Sequence, residues 1–141
     1  MALNWKTAQI NEKKFWEDIY IKNKNDEVYE KTKSDGWKGF AEEILKRNKI
    51  ELVDLHNKTI VDLGCGPAGM AMGLDLLIKK KKIKNSNIIA IDPLMDFFKK
   101  EIKFLKENKN LKLLSNQGES INLQDNSVDI IFCTNVLDHC E

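Results

Sequence analysis

The chain has 141 residues, of which 42% are hydrophobic and 32% charged, with a formal net charge of +1. That length supports one domain with a real core and not two, and the near-zero charge gives no electrostatic case for nucleic acid or a membrane surface. No apolar run approaches the ~20 residues of a membrane span.

In chain order, residues 1–58 read as helical and rich in aromatics. Ile10, Phe15, Trp16, Ile19 and Tyr20 can share one helix face, and Trp37, Phe40, Ile44 and Leu45 repeat the spacing. Thr59 to Leu63 is a short β-branched apolar run that suits a buried strand. Met70, Leu74, Leu77 and Ile78 then recur at helical spacing, and this helix ends in Lys79 to Lys82, where cations complement the helix dipole and stay solvated. Ile88 to Ile91 makes a second strand. Leu94, Phe98, Ile102 and Leu105 predict one amphipathic helix after Pro93. Leu111 to Leu114 and Val128 to Thr134 complete the set as third and fourth strands, the fourth buried by its composition. Strand and helix alternate from residue 59, the pattern of a doubly wound parallel α/β sheet.

Between the first strand and its helix stands Gly64-Cys65-Gly66-Pro67-Ala68-Gly69, a G-x-G-x-x-G spacing. Glycine permits the positive φ of a tight turn and lets a ligand approach bare backbone. Pro67 suits a first helical turn, where its missing N–H costs nothing, and the free N–H groups of the helix start face whatever lies over the loop. Such a loop alone suits any dinucleotide fold. Asp62, two residues before the first glycine, narrows it: a carboxylate there suits a ligand carrying an ammonium group better than one carrying a pyrophosphate. Asp92 closes the second strand 23 residues after Gly69, close to where such folds place a ribose-binding acid. As the residue before Pro93 it would also cap the following helix.

Val61 to Gly69 resembles the first motif of class I S-adenosylmethionine-dependent methyltransferases. Gln117-Gly118-Glu119-Ser120 resembles that family's "D-A-E" adenine loop, with Gln117 where an aspartate is common. Asp125 to Asp129 is similar to its "D-G-S-F-D" approach to strand four, and Thr134 to His139 to its "N-x-L-x-H" segment. The resemblance runs from residue 59 to 139. It implies S-adenosyl-L-methionine as cofactor and S-adenosyl-L-homocysteine as product. It implies a cofactor site at Asp62, Gly64, Cys65, Gly66, Pro67 and Gly69. Asp92, Pro93 and Leu94 would hold the ribose side, Gln117, Gly118 and Glu119 the adenine side, and Thr134 and Asn135 the end of strand four. The stretch Asn11 to Trp16 is similar to an opening helix that partly covers the cofactor in small-molecule methyltransferases. Residues 1–58 are therefore expected to pack on or cover a site built by residues 59–141.

A complete member of that family has seven strands in the order 3-2-1-4-5-7-6, so the expectation is a Rossmann-like half-sheet, 3-2-1-4, truncated after strand four. Either it is the cofactor-binding half of a longer enzyme, inactive alone, or a partner supplies the remainder. Strand four then becomes an apolar edge through which a homodimer can form. His139 has the pKa suited to a catalytic base, and the bland alternative is that it packs the following helix. The acceptor is expected to be a small polar metabolite or sugar, with neither nucleic acid nor membrane as partner. Met-Ala-Leu-Asn-Trp-Lys lacks a signal-peptide core. Cys65, Cys133 and Cys140 form no C-x-x-C pair, so the expectation is a cytoplasmic protein without a disulfide framework or metal site. Two other classes stay open: a nicotinamide-dependent oxidoreductase, and a non-catalytic cofactor-binding or scaffolding module.

Overall fold

The computed structural model of the chain describes residues 5–23 and 27–134. Helices α1 (Trp5–Asn23) and α2 (Glu27–Arg47) and a short 3-10 turn (Leu52–Leu55) precede β1 (Thr59–Leu63). Then follow α3 (Gly69–Lys81), β2 (Asn87–Ile91), α4 (Met95–Glu101), α5 (Lys103–Glu107), β3 (Leu111–Leu114) and β4 (Ile130–Cys133). The strands are parallel, as the alternation predicts, and lie in the order β3-β2-β1-β4, the 3-2-1-4 half of a Rossmann-like sheet that the family resemblance implies.

The pleat sorts the two faces. Ile60, Ile88 and Leu111 share one cross-strand row, and Asp62, Ala90 and Phe132 another. This face meets the helices and carries the main core, with Leu74, Leu77, Met95 and Phe98 at 1% exposure or less. Fully burying such a side chain contributes about 1.5–3 kcal/mol, which is why α3 sits flat on β1 and β2. The opposite face holds a thinner cluster, Val61, Ile89 and Ile91, covered by Ile121, Leu123 and Val128 from the loop before β4. Asp129 pins that loop, its carboxylate accepting the Thr59 N–H at 2.8 Å and its own N–H reaching the Thr59 carbonyl at 2.9 Å.

Several expectations shift. The helix expected over Leu94 to Leu105 breaks at Ile102, which is extended (φ −103°, ψ 112°) and only 3% exposed. A β-branched residue tolerates that conformation, and the break lets both Ile102 and Leu105 stay buried. The fourth strand spans the four residues Ile130–Cys133, not the seven from Val128 to Thr134. It is less buried than its composition predicts, with Ile131 57% exposed. On α1 the expected aromatic face splits: Trp16 and Ile19 pack on the core, while Ile10 (67% exposed) and Phe15 (56%) face outward. On α2, Trp37, Ala41, Ile44 and Leu45 do pack inward, and Phe40 stays exposed. Among the described residues, no helix is long and apolar enough to cross a membrane.

Candidate functional site

Where β1 and β2 end, at the carboxyl edge at which open α/β sheets bind ligands, the chain turns twice. Gly64 and Gly66 take positive φ of 63° and 52°, angles that glycine adopts without strain. The Gly64 and Cys65 N–H groups both donate to the Ile91 carbonyl, at 2.8 and 3.1 Å, strapping the loop to the end of β2. Ala68 N–H closes a turn onto the Cys65 carbonyl at 2.9 Å. Helix α3 begins at Gly69 and not at Pro67: Ala68, fully buried and left-handed at φ 63°, occupies the cap position. Pro67 thus sits in the turn ahead of the helix, and the left-handed residue next to α3 is an alanine that sequence reasoning passed over.

Two buried carboxylates lie beneath this loop. Asp62 faces α3 because it shares the pleat side of Ile60. Its Oδ2 accepts the Ala71 N–H at 3.0 Å, while its Oδ1 is buried without a hydrogen-bond partner. Asp92 follows β2. Its Oδ2 accepts the Gly66 N–H at 2.9 Å and its Oδ1 the Leu94 N–H at 2.8 Å. It therefore caps the turn into α4, which begins at Met95 rather than at Pro93, and it also holds the glycine loop. Each oxygen retains a second lone pair for a ligand hydroxyl.

The loop's electrostatics follow from burial. Asp62 is 1% exposed, and loss of water pushes its carboxyl up to about 7; the Ala71 N–H opposes the rise and the charge of Asp92 adds to it. Burial likewise raises Asp92 to about 6, against the Leu94 and Gly66 N–H bonds, with Glu12 of α1 adding like charge. The Cys65 thiol is driven well above its ordinary value by burial and by the charges of Asp62 and Asp92.

This arrangement differs from a phosphate cradle. Anion-binding glycine loops leave their N–H groups open toward the ligand, whereas here the Gly64, Cys65, Gly66, Ala68 and Ala71 N–H groups already meet carbonyls or carboxylates of the chain. What lies beneath the loop instead is a pair of buried carboxyl groups.

The other predicted residues divide by place. Gly118 lies over Leu63 at the end of β1, so the exposed loop Gln117 to Ser120, closed by a Ser120 N–H to Gln117 carbonyl bond of 3.1 Å, stands at the same edge of the sheet. Ser115 Oγ donates to the Pro93 carbonyl at 3.1 Å, which ties this segment to the Asp92 turn. Thr134 is half-buried just past β4. Asn135, Asp138 and His139 lie outside the described residues.

From the other side come two tryptophans. The Trp16 ring of α1 covers Gly66, with Cζ2 3.5 Å from where a β-carbon would stand, and meets Phe98 edge-on at 5.9 Å. The Trp37 ring of α2 covers Gly69. Sequence spacing marked both as packing residues, and their clustering before residue 38 was the available signal.

Residues 61–141, more than half of the chain, match a family model described as "Methyltransferase domain". No curated protein matches the chain. Among solved structures, a protein from Methanococcus maripaludis, provisionally described as an S-adenosyl-L-methionine-dependent methyltransferase, is similar in fold, with a TM-score of 0.53 at 19% identity. The similarity covers all of this chain and 57% of that one, so the chain spans a little over half the length of that relative.

Proposed function

The chain belongs to the methyltransferase domain family, and on that premise we propose that it binds S-adenosyl-L-methionine over Gly64–Gly69 as the cofactor-binding part of an enzyme that methylates a small polar metabolite or sugar. The observation that carries this reading is the acid-loaded loop. A buried carboxylate with one unpartnered oxygen, Asp62, is unstable in its charged form until a cation arrives, and the methionine end of this cofactor supplies an ammonium. Asp92, with a free lone pair on each oxygen, fits the two ribose hydroxyls. Gln117 to Glu119 at the same sheet edge fits the adenine, and Trp16 with α1 fits a cover over the loop. Thr134 and Asn135 would close the site from the end of β4.

When bound, the cofactor supplies an activated methyl on a sulfonium, which leaves the protein mainly to align the acceptor and keep water out. His139 is the candidate base for an oxygen acceptor. The choice of a small polar acceptor rests on a net charge of +1 with no basic, aromatic-interleaved surface in the sequence. The exposed Ile131 on β4, which pairs only with β1 among the described strands, supports self-association along that edge, and sedimentation at micromolar concentration checks it.

Calorimetric titration with S-adenosyl-L-homocysteine and with NADH tests the reading. Binding of the first alone is expected, while NADH binding alone would replace it with an oxidoreductase. Asp92→Ala should weaken the homocysteine product roughly ten-fold or more, about 1.5–3 kcal/mol for a lost charge-assisted hydrogen-bonding group. Wild-type affinity in that variant would remove Asp92 from the site.

A further inference from the structure

Gly69 must be glycine for a reason other than its backbone angle. Unlike Gly64 and Gly66 it has no positive φ, and it is the first residue of α3. A methyl group there would stand 2.9 Å from Cδ1 and 3.0 Å from Nε1 of Trp37, inside van der Waals contact. One turn further, a methyl on Gly73 would stand 2.2 Å from the Trp37 carbonyl oxygen and 2.8 Å from the Ala41 β-carbon. The two glycines thus admit α2 itself, and the indole rests on the first turn of α3 with its ring 4.6 Å from that of Phe104. Two residues beyond Gly69, the Ala71 N–H reaches Asp62 Oδ2. The other oxygen of the same carboxylate is the buried one without a partner.

We infer that Trp37 is a positioning residue: by seating the first turn of α3 through Gly69, it aims the Ala71 N–H at Asp62 and so orients the carboxylate's second oxygen for a cationic ligand. Gly69 accordingly serves the tryptophan and not the ligand. Only the final step, toward the ligand, rests on the cofactor reading above. The chain of contacts from Trp37 to Asp62 stands in the free protein.

The test therefore has one readout without ligand and one with it. The Asp62 carboxyl is followed by NMR titration in the wild type, Trp37→Ala and Trp37→Phe. Loss of the Ala71 bond in Trp37→Ala should move its midpoint upward from about 7, and Trp37→Phe, which keeps a ring on Gly69, should restore most of the shift. S-adenosyl-L-homocysteine affinity is then measured for Gly69→Ala in both backgrounds. The added methyl should weaken binding about ten-fold beside Trp37 and less than about two-fold beside alanine, because the clash is gone. An unmoved Asp62 midpoint in Trp37→Ala overturns the inference, as does an equal Gly69→Ala effect in the two backgrounds, which would mean that the glycine meets the ligand itself. Should Trp37→Ala fail to fold, Trp37→Leu carries the same two readouts. A shifted midpoint in a protein that binds no S-adenosyl-L-homocysteine would support the positioning role while removing the cofactor reading.

Discussion

The two N-terminal helices meet the same loop in different ways. Helix α2 is built into the fold: Ala41 and Leu45 are buried, and its backbone lies against α3 at a glycine where even a methyl group has no room. Helix α1 rests on the fold: none of its described side chains is fully buried, and Ile10 and Phe15 face outward. Each is paired with one acid. Through Trp37, α2 governs the α3 turn that holds Asp62, which is sealed and half-partnered. Through Trp16 and Glu12, α1 reaches Gly66 and Asp92, whose oxygens are both engaged. The lesson is that a cover can be removable only where packing is ordinary van der Waals contact, as at Trp16, and not where backbone meets backbone, as at Gly73.

The largest expected effect is on pH dependence, and it concerns the α2 side. Between pH 4 and 7 the folded chain retains the Asp62 proton that the unfolded chain has released, so stability should fall as pH rises through this window and level off above it. The decline is on the order of 4 kcal/mol for a carboxyl raised from 3.8 to about 7, with Asp92 adding its part below about pH 6. Urea unfolding midpoints across pH 4–9 measure it. Asp62→Asn, which cannot ionise, should flatten the upper part of the curve. A wild-type curve that rises with pH would show that Asp62 is charged in the folded protein.

Next comes the packing contrast itself. Gly73→Ala should push α2 off α3 and destabilise the protein by about 2–3 kcal/mol, the range for overpacking against atoms that cannot yield. Trp16→Ala removes a half-buried ring and should be milder, below about 2 kcal/mol. Chemical denaturation of both variants decides. A larger loss for Trp16→Ala would make α1 the structural helix and reverse the comparison.

Smallest is the reach of α1 to Asp92. Glu12→Gln removes a like charge, so the Asp92 midpoint should move down from about 6. A carboxyl-carbon titration detects this, and no movement would place α1 further from the loop.

Much of this was legible from residue order. The parallel α/β class followed from alternation, because short strands joined by amphipathic helices have few ways to close a core, whereas the strand order came from the resemblance to the methyltransferase family. Asp62 stood out by its place two residues before the first glycine, and Asp92 by closing the second strand 23 residues after Gly69. The break at Ile102 was not legible, since its spacing continues the helical stripe and only burial of Ile102 and Leu105 together shows why the chain turns.

What the sequence by itself determined is the frame: a parallel α/β sheet, a glycine loop at its carboxyl edge, and two acids beside that loop, all consequences of local propensity and periodicity. Tertiary structure alone decided how those parts are used. The Gly64, Cys65 and Gly66 N–H groups of the loop turn inward because Ile91 and Asp92, remote in sequence, arrive within hydrogen-bond distance. Gly69 and Gly73 answer to Trp37, more than thirty residues away in the chain. The carboxyl values rise because folding removes the water around them. Periodicity records which face of a segment is apolar; which partner that face meets, and how much water remains, is settled only when the elements close on one another.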